Sequence, residues 1–168
     1  MTGSSQRTGL GMMLAAALGL LALLTWLFSG QVDQRTNPNR QVQTERVDGG
    51  LEVVLQADRR GHFVASGSIN GQEVTFLVDT GATLVSVPEE LADRLGLERR
   101  APIRLETAAG NVQGWATELD EVRLGELVQH GVRAAINPGR HQTVLLGMSF
   151  LRDLEMTQRD GELRLFSD

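Results

Sequence analysis

The chain has 168 residues, of which 41% are hydrophobic and 22% charged, with a formal net charge of -5; this suits one globular domain with an appendage. It has no cysteine, which excludes disulfides, thiolate metal sites and a cysteine nucleophile. Residues 1–50 hold Arg7, Arg35, Arg40 and Arg46 against Asp33, Glu45 and Asp48, so the acidity lies in the remainder, and an acidic body without basic runs argues against a nucleic-acid partner.

After a short flank, residues 1–9, the run Leu10 to Phe28 has Thr25 as its only polar side chain. As a helix it would be roughly 28 Å long, close to the hydrocarbon thickness of a bilayer. Trp26 near its end suits the membrane interface. A cleaved signal peptide is the competing reading, but Phe28-Ser29-Gly30-Gln31 makes a poor cleavage site. Residues 10–28 are therefore expected to be a single uncleaved transmembrane anchor. Arg7 and the α-amino group lean towards a cytoplasmic N-terminus. In a bacterium the body would then face the periplasm from the inner (cytoplasmic) membrane. Residues 29–50 are polar, contain Asn37-Pro38-Asn39 and end in Gly49-Gly50, and read as a flexible linker. The globular domain is expected over 51–168.

From Leu51 the pattern is strand-like. Strands are expected at 51–56, 62–69, 72–78 and 84–87, with Asn70-Gly71 as a two-residue hairpin turn. A short helix should open at Pro88-Glu89-Glu90 and run to Leu95, with Gly96 as its stop. Further strands are expected at 103–107, 112–119, 122–124, 128–136, 144–146, 154–158 and 162–166, and a helical turn at 148–151. Many short strands, frequent turns and one or two short helices indicate a mainly β, barrel-like domain.

Two stretches carry candidate chemistry. In "FLVDTGATLVSV", 76–87, Asp79 ends an apolar strand and is followed by Thr80, Gly81 and Ala82. Asp-Thr-Gly is ordinary turn chemistry, but between two apolar strands the loop should be largely desolvated. An ionised Asp there is costly unless it is hydrogen-bonded or shares a proton. Gly81 lets backbone N–H groups approach the carboxylate, and the Thr80 hydroxyl can tie the loop down. The second stretch is "TVLLGMSFL", 143–151, in which Leu145 and Leu146 run into Gly147. Gly147 either permits a bend in a buried strand or lets this segment pass beside the Asp79 loop.

Asp79-Thr80-Gly81-Ala82, then a hairpin around Gly110, then Leu145-Leu146-Gly147 resembles a retropepsin-like (clan AA) aspartic protease. The strings "FLVDTGATLVSVPEELADRLGL" and "LLGMSFLRDLEM" are similar to the bacterial membrane-anchored members, over roughly residues 51–168. The resemblance implies a mainly β, retropepsin-like closed barrel with one or two short helices, preceded by a single transmembrane helix. It implies Asp79 as the catalytic residue and Ala108, Ala109, Gly110 and Asn111 as a flap. No second Asp-Thr-Gly or Asp-Ser-Gly occurs in the chain. The resemblance therefore implies a homodimer in which Asp79 of each subunit meets on a twofold axis. Thr80 would bond across that axis, and Gly81 would give its N–H to the carboxylate. No cofactor or metal is needed.

The expected function is an aspartic endopeptidase cleaving proteins or peptides near the membrane. The rival is a non-catalytic, membrane-anchored peptide-binding or dimerisation module on the same barrel. Other candidates are weaker. His62, His130 and His141 lack metal-ligand spacing, and Ser86 and Ser149 lack a nucleophile elbow. Trp115 reads as core or flap packing or as a substrate contact, and Arg152-Asp153 as a surface pair or a bridge at the dimer base. If Asp79 instead has an intrachain partner acid, Asp58, Glu106 and Asp120 are the first to consider.

Overall fold

Asn70 and Gly71 take positive φ values of 50° and 76°, the backbone of a tight hairpin turn. They join β3 (Val64–Ile69) to β4 (Gln72–Val78), paired antiparallel from Ile69↔Gln72 to Val64↔Leu77. The computed structural model describes residues 17–21, 23, 37–47, 49–107 and 110–167. β4 runs parallel to β9 (Thr143–Leu146), which meets β5 (Val85–Pro88), and β5 runs parallel to β8 (Leu127–Asn137). β8 pairs antiparallel with the long β7 (Gly110–Leu124), whose far end returns to β3 through Ile69↔Val122. The ring β3-β4-β9-β5-β8-β7 is thus closed, leaving no open edge among those six strands. β6 (Pro102–Thr107) extends β7 outward as a hairpin, with Thr107 opposite Gly110.

The interior follows from alternation. Phe76, Val85, Val87, Leu119, Val122, Ile136, Val144 and Leu146 are almost fully buried. Helix α1 (Glu89–Arg94) starts directly after Pro88, with acids in its first turn and Arg94 in its last, and buries Leu91 and Ala92. Helix α2 (Met148–Leu151) buries Phe150 and Leu151.

A second sheet has the order β1 (Gln43–Val47), β2 (Gly50–Gln56), β11 (Glu162–Ser167), β10 (Glu155–Arg159), all antiparallel. Val53, Leu55, Leu163 and Leu165 point to the core, whereas β10 is exposed throughout.

Two expectations change. The compact unit begins at Asn37, not at Leu51. Residues from 37 onward, expected within the 29–50 linker, are built into the domain. Asn39 is the reason: its Nδ2 donates to Gln56 O (2.9 Å) and Val64 O (2.7 Å), and its Oδ1 accepts from Gln56 N (2.7 Å). Asn37 Oδ1 accepts from Asn39 N (3.0 Å), and Asn37 Nδ2 donates to Ser66 Oγ (3.1 Å). Second, the separate strands expected at 112–119 and 122–124 are one strand, because β7 passes unbroken from β6 to β3. Of the expected anchor at 10–28, only 17–21 and 23 are described, as helix, with Leu18, Leu20, Leu21 and Leu23 exposed. The rest of that span, and the linker up to residue 36, lie outside the described residues. Among the described residues no helix is long and apolar enough to cross a membrane.

Candidate active site

Parallel pairing of β4 with β9 sets Val78 against Leu146, so the two strands deliver Asp79 and Gly147 side by side. Asp79 N donates to Leu146 O (3.1 Å), extending the pairing by one residue. On the other flank Val78 N donates to Phe63 O (2.9 Å). Asp79 O then accepts from Ala82 N (3.2 Å), which closes the turn, and Ala82 O accepts from Met148 N (2.7 Å). Val85 N donates to Ser149 Oγ (2.8 Å). The 79–85 segment is therefore tied to strand β9 and helix α2 at three points.

Gly147 sits where nothing larger fits. A Cβ there would lie 2.3 Å from Leu84 O and 2.6 Å from Ala82 O, distances that real side chains do not adopt. The sequence left two roles open for this glycine; the structure shows the close approach to the Asp79 loop.

Asp79 is half-buried, and its Oδ1 accepts from Gly81 N (2.9 Å). That is its only side-chain hydrogen bond among the described residues. Thr80 and Gly81 are exposed and Ala82 half-buried. The expectation of a largely desolvated loop is not met within one chain, because the loop caps strand ends at an open face. The Thr80 hydroxyl has no hydrogen-bond partner among the described residues.

The remaining candidates separate. The hairpin expected as a flap is present: Thr107 Oγ1 donates to Gly110 O (2.7 Å), and Gly110 and Asn111 begin β7. Ala108 and Ala109 lie outside the described residues. A shallow depression of about 580 Å³ flanks this hairpin, lined by Pro102, Ile103, Arg104, Asn111, Val112 and Gln113. Leu145 and Leu146 are strand residues of β9, and Leu146 is core. His130 Nδ1 lies 3.1 Å from Asp120 O, and His141 Nδ1 lies 2.9 Å from Thr143 O. His130 lies in β8, whereas His62 and His141 sit on two different loops. Ser86 Oγ accepts from Asn137 Nδ2 (2.8 Å), a structural role. Trp115 is half-buried against the core, opposite Pro102 and Ile136. Arg152 and Asp153 form an exposed neighbour pair at 3.7 Å, of little energetic weight in one chain. Glu106 lies in β6 opposite Asn111, and no acid hydrogen-bonds to Asp79 among the described residues.

Asp58 is the carboxylate with a resolved perturbation near this region. Burial pushes it up, but the backbone N–H groups of His62 and Arg60, with the charges of those side chains, hold it net below its ordinary value. Ser149 is the positioning residue that sequence reasoning missed. It was weighed only as a nucleophile, and its hydroxyl instead anchors Val85.

Residues 65–153 match the model of the family described as "gag-polyprotein putative aspartyl protease". The chain is 35% identical over 133 residues to a Sinorhizobium sp protein described as "Uncharacterized protein in cobV 5'region", covering 76% of this chain and 57% of that one. It is 25% identical over 119 residues to "Uncharacterized protein RP867" of Rickettsia prowazekii (strain Madrid E), covering 69% and 51%. The chain thus spans about half the length of the curated relatives it matches. Among solved structures it is similar to a retropepsin-like aspartic protease from Rickettsia conorii, with TM-score 0.60 and 25% identity, covering 68% of this chain and 98% of that one. The fold, the matched span and these likenesses agree: the chain belongs to the retropepsin-like aspartic protease family.

Proposed function

We propose that the chain is an aspartic endopeptidase whose active site forms when two copies bring their Asp79 side chains together. The observation that carries this reading is the state of the Asp79 loop. Its backbone is tied down on both flanks, while one Asp79 oxygen and the Thr80 hydroxyl remain open. A loop fixed in place with its reactive groups unspent suits a partner that supplies the rest. With no second Asp-Thr-Gly in the chain, that partner is a second copy, across an isologous twofold interface.

Two carboxylates a few ångströms apart cannot both ionise readily, so they share a proton and titrate as a pair. The ionised member takes a proton from a water held between them. The protonated member donates to the scissile carbonyl oxygen as the tetrahedral intermediate forms; the proton taken from water then passes to the scissile nitrogen, and collapse expels the amine as one hydroxyl proton of the intermediate returns to the dyad. The Gly81 N–H steadies the carboxylate, Thr80 links the loops across the axis, and the 107–111 hairpin covers the peptide and excludes water. The apolar run 10–28 supports a membrane anchor, with the protease domain in the periplasm and membrane or envelope proteins as substrates. Sizing the chain in a membrane fraction before and after alkaline washing tests that part.

A peptide-library digest tests the chemistry. Asp79→Asn should lower cleavage by at least about 10³-fold with unchanged thermal unfolding; full activity in the variant overturns the assignment. Mixing equal wild-type and Asp79→Asn chains, with subunit exchange demonstrated, should reduce activity per wild-type chain to about half. No reduction overturns the shared dyad. Peptide binding without cleavage at any pH would instead favour the non-catalytic module.

A further inference from the structure

The turn between β2 and β3, residues 57–63, lies beside the Asp79 loop and has no part in the chemistry above. Antiparallel pairing of β3 with β4 sets Val64 opposite Leu77, and the Val78 N–H bond to Phe63 O continues that register. Counted one residue past the last of these bonds, the same register sets His62 level with Asp79, although no bond joins the two among the described residues. Residues directly opposite in an antiparallel pair project from the same face. The turn therefore ends next to the start of the Asp79 loop.

This turn is pre-ordered and cationic. Asp58 N donates to His62 O (2.7 Å), and Gly61 N donates to Asp58 O (3.0 Å). Asp58 Oδ1 accepts from Arg60 N (2.8 Å) and His62 N (2.9 Å). The Asp58 carboxylate is thus engaged with backbone, and its side chain is only 11% exposed. His62 Nδ1 stands 3.9 Å from Asp58 Oδ2. Arg59 and Arg60 are exposed, and among the described residues neither guanidinium forms an ion pair. Arg99, Arg100, Arg123 and Arg164 are each held by at least one acid, whereas Arg104, Arg133 and Arg140, like Arg59 and Arg60, form no ion pair among the described residues; what sets Arg59 and Arg60 apart is their place next to the Asp79 loop. In a chain of net charge -5, exposed arginines without an ion pair on a turn whose backbone is already ordered are available to an anion, and only their side chains remain to be ordered.

We propose that Arg59 and Arg60, with His62 as a neighbouring hydrogen-bonding group, form a cationic subsite beside Asp79 that receives an Asp or Glu side chain of the peptide being cleaved. The proposal rests on the protease reading and narrows its substrate class. An arginine fork engages a carboxylate through paired charge-assisted hydrogen bonds, so the subsite should discriminate a carboxylate from its amide.

The full chain is tested against a peptide library randomised around the cut. Asp and Glu should be enriched at one position about tenfold over Asn and Gln. The double variant R59A/R60A should lose the enrichment, and R59E/R60E should turn it towards basic residues. Both side chains are exposed, so unfolding midpoints should change little, by no more than the share of the Arg60 charge in the Asp58 contribution. Absent acidic enrichment in the wild type, or enrichment intact in R59A/R60A, overturns the proposal. So does uniform loss of activity with a weaker dimer in sedimentation, which would make the turn a subunit contact. A binding arm separates this from failure of the protease reading. Fluorescence anisotropy compares a labelled Glu-containing peptide with its Gln twin on the Asp79→Asn chain. Binding about tenfold tighter for Glu, abolished by R59A/R60A, sustains the subsite even if the wild type cleaves nothing. Equal binding overturns it.

Discussion

Around Asp79 the backbone is bonded on every side, to Phe63, Leu146 and Met148, whereas in the four-stranded sheet two strands of four, β1 and β10, carry mostly exposed side chains. The first region is fixed by backbone contacts between segments distant in sequence, helped by one glycine and one serine hydroxyl. The second is held by its ladder and by the inward row Val53, Leu55, Leu163 and Leu165, with charged outer edges that discourage casual pairing. Substitutions should therefore act locally and severely in the first region, and mildly in the second unless they reach the buried polar anchor at its border, Asn39.

The largest effect is expected at Gly147. In Gly147→Val a branched side chain must displace the Leu84 and Ala82 carbonyls, which a Cβ alone would approach to 2.3 and 2.6 Å. Destabilisation of about 3 kcal/mol or more follows from forcing atoms into a filled space. Cleavage should vanish even at temperatures where the variant is folded, because the Asp79 loop moves with those carbonyls. Urea unfolding and a digest below the unfolding midpoint check both parts; a stable, active variant would show that the loop position is not set by this contact.

Asn39→Ala probes the anchor. Asn39 is 5% exposed and makes three side-chain hydrogen bonds to the backbone of Gln56 and Val64. Removing it leaves partly buried backbone groups of Gln56 and Val64 unpaired, at a cost of about 1–3 kcal/mol. Asn39→Asp should recover little, since a carboxylate cannot donate to the two carbonyls. Amide exchange should quicken in β1, β2 and the start of β3 first.

These two residues also mark what was legible in the sequence. Gly147 was readable because an apolar strand stops at it, and parallel pairing with β4 gives it one neighbour to meet. The register of the Asn70-Gly71 hairpin, counted outward, already sets residue 62 against residue 79. Asn39 was not readable. Its partners lie 17 and 25 residues away, and the polar stretch around it has a linker's composition. Strand β1, "QTERV", was missed for a related reason: its side chains are largely exposed, so no hydrophobic alternation betrays it. The join of 112–119 with 122–124 was hidden because Asp120-Glu121 reads as a turn. In the fold Asn70 Oδ1 accepts from Glu121 N (3.0 Å), and Asn70 N donates to Glu121 O (2.9 Å).

A smaller, pH-dependent effect belongs to Asp58, at the border of the first region. Its folded pKa lies below the ordinary carboxylate value, because the N–H groups and charges of His62 and Arg60 outweigh the opposing effect of burial. A depressed carboxylate contributes stability that is fully present above its unfolded pKa, about 4. That contribution is lost as pH falls through the folded pKa. Asp58→Asn keeps the acceptor oxygen and removes the charge. The wild type should therefore exceed the variant in urea midpoint at pH 6, with the gap closing below about pH 4. A gap that widens in acid would reverse the assigned sign.

The smallest effect is expected on the outer face of the four-stranded sheet. Arg164 pairs with Glu52 at 2.8 Å and Glu162 at 3.2 Å. The side-chain hydrogen bond from Gln56, then that from Arg164, holds the Glu162 carboxyl below its ordinary value, and hydrogen bonding to Glu162, with the nearby Glu52 charge, raises Arg164. This cluster has the best geometry of the surface ion pairs on the two inner strands, so it is the fair test of whether charge or ladder holds them. Exposed pairs gain little Coulomb energy in water and lose side-chain freedom. Arg164→Gln should then shift Tm by no more than about two degrees, and 0.5 M salt should erase most of the difference, since the Debye length there falls to about 4 Å. The inward residues on either side, Leu163 and Leu165, keep their burial, and the β2–β11 register does not use the guanidinium. A loss comparable to that of Asn39→Ala, or one insensitive to salt, would mean that the outer charges hold the sheet and that the contrast with the Asp79 loop has been drawn in the wrong place.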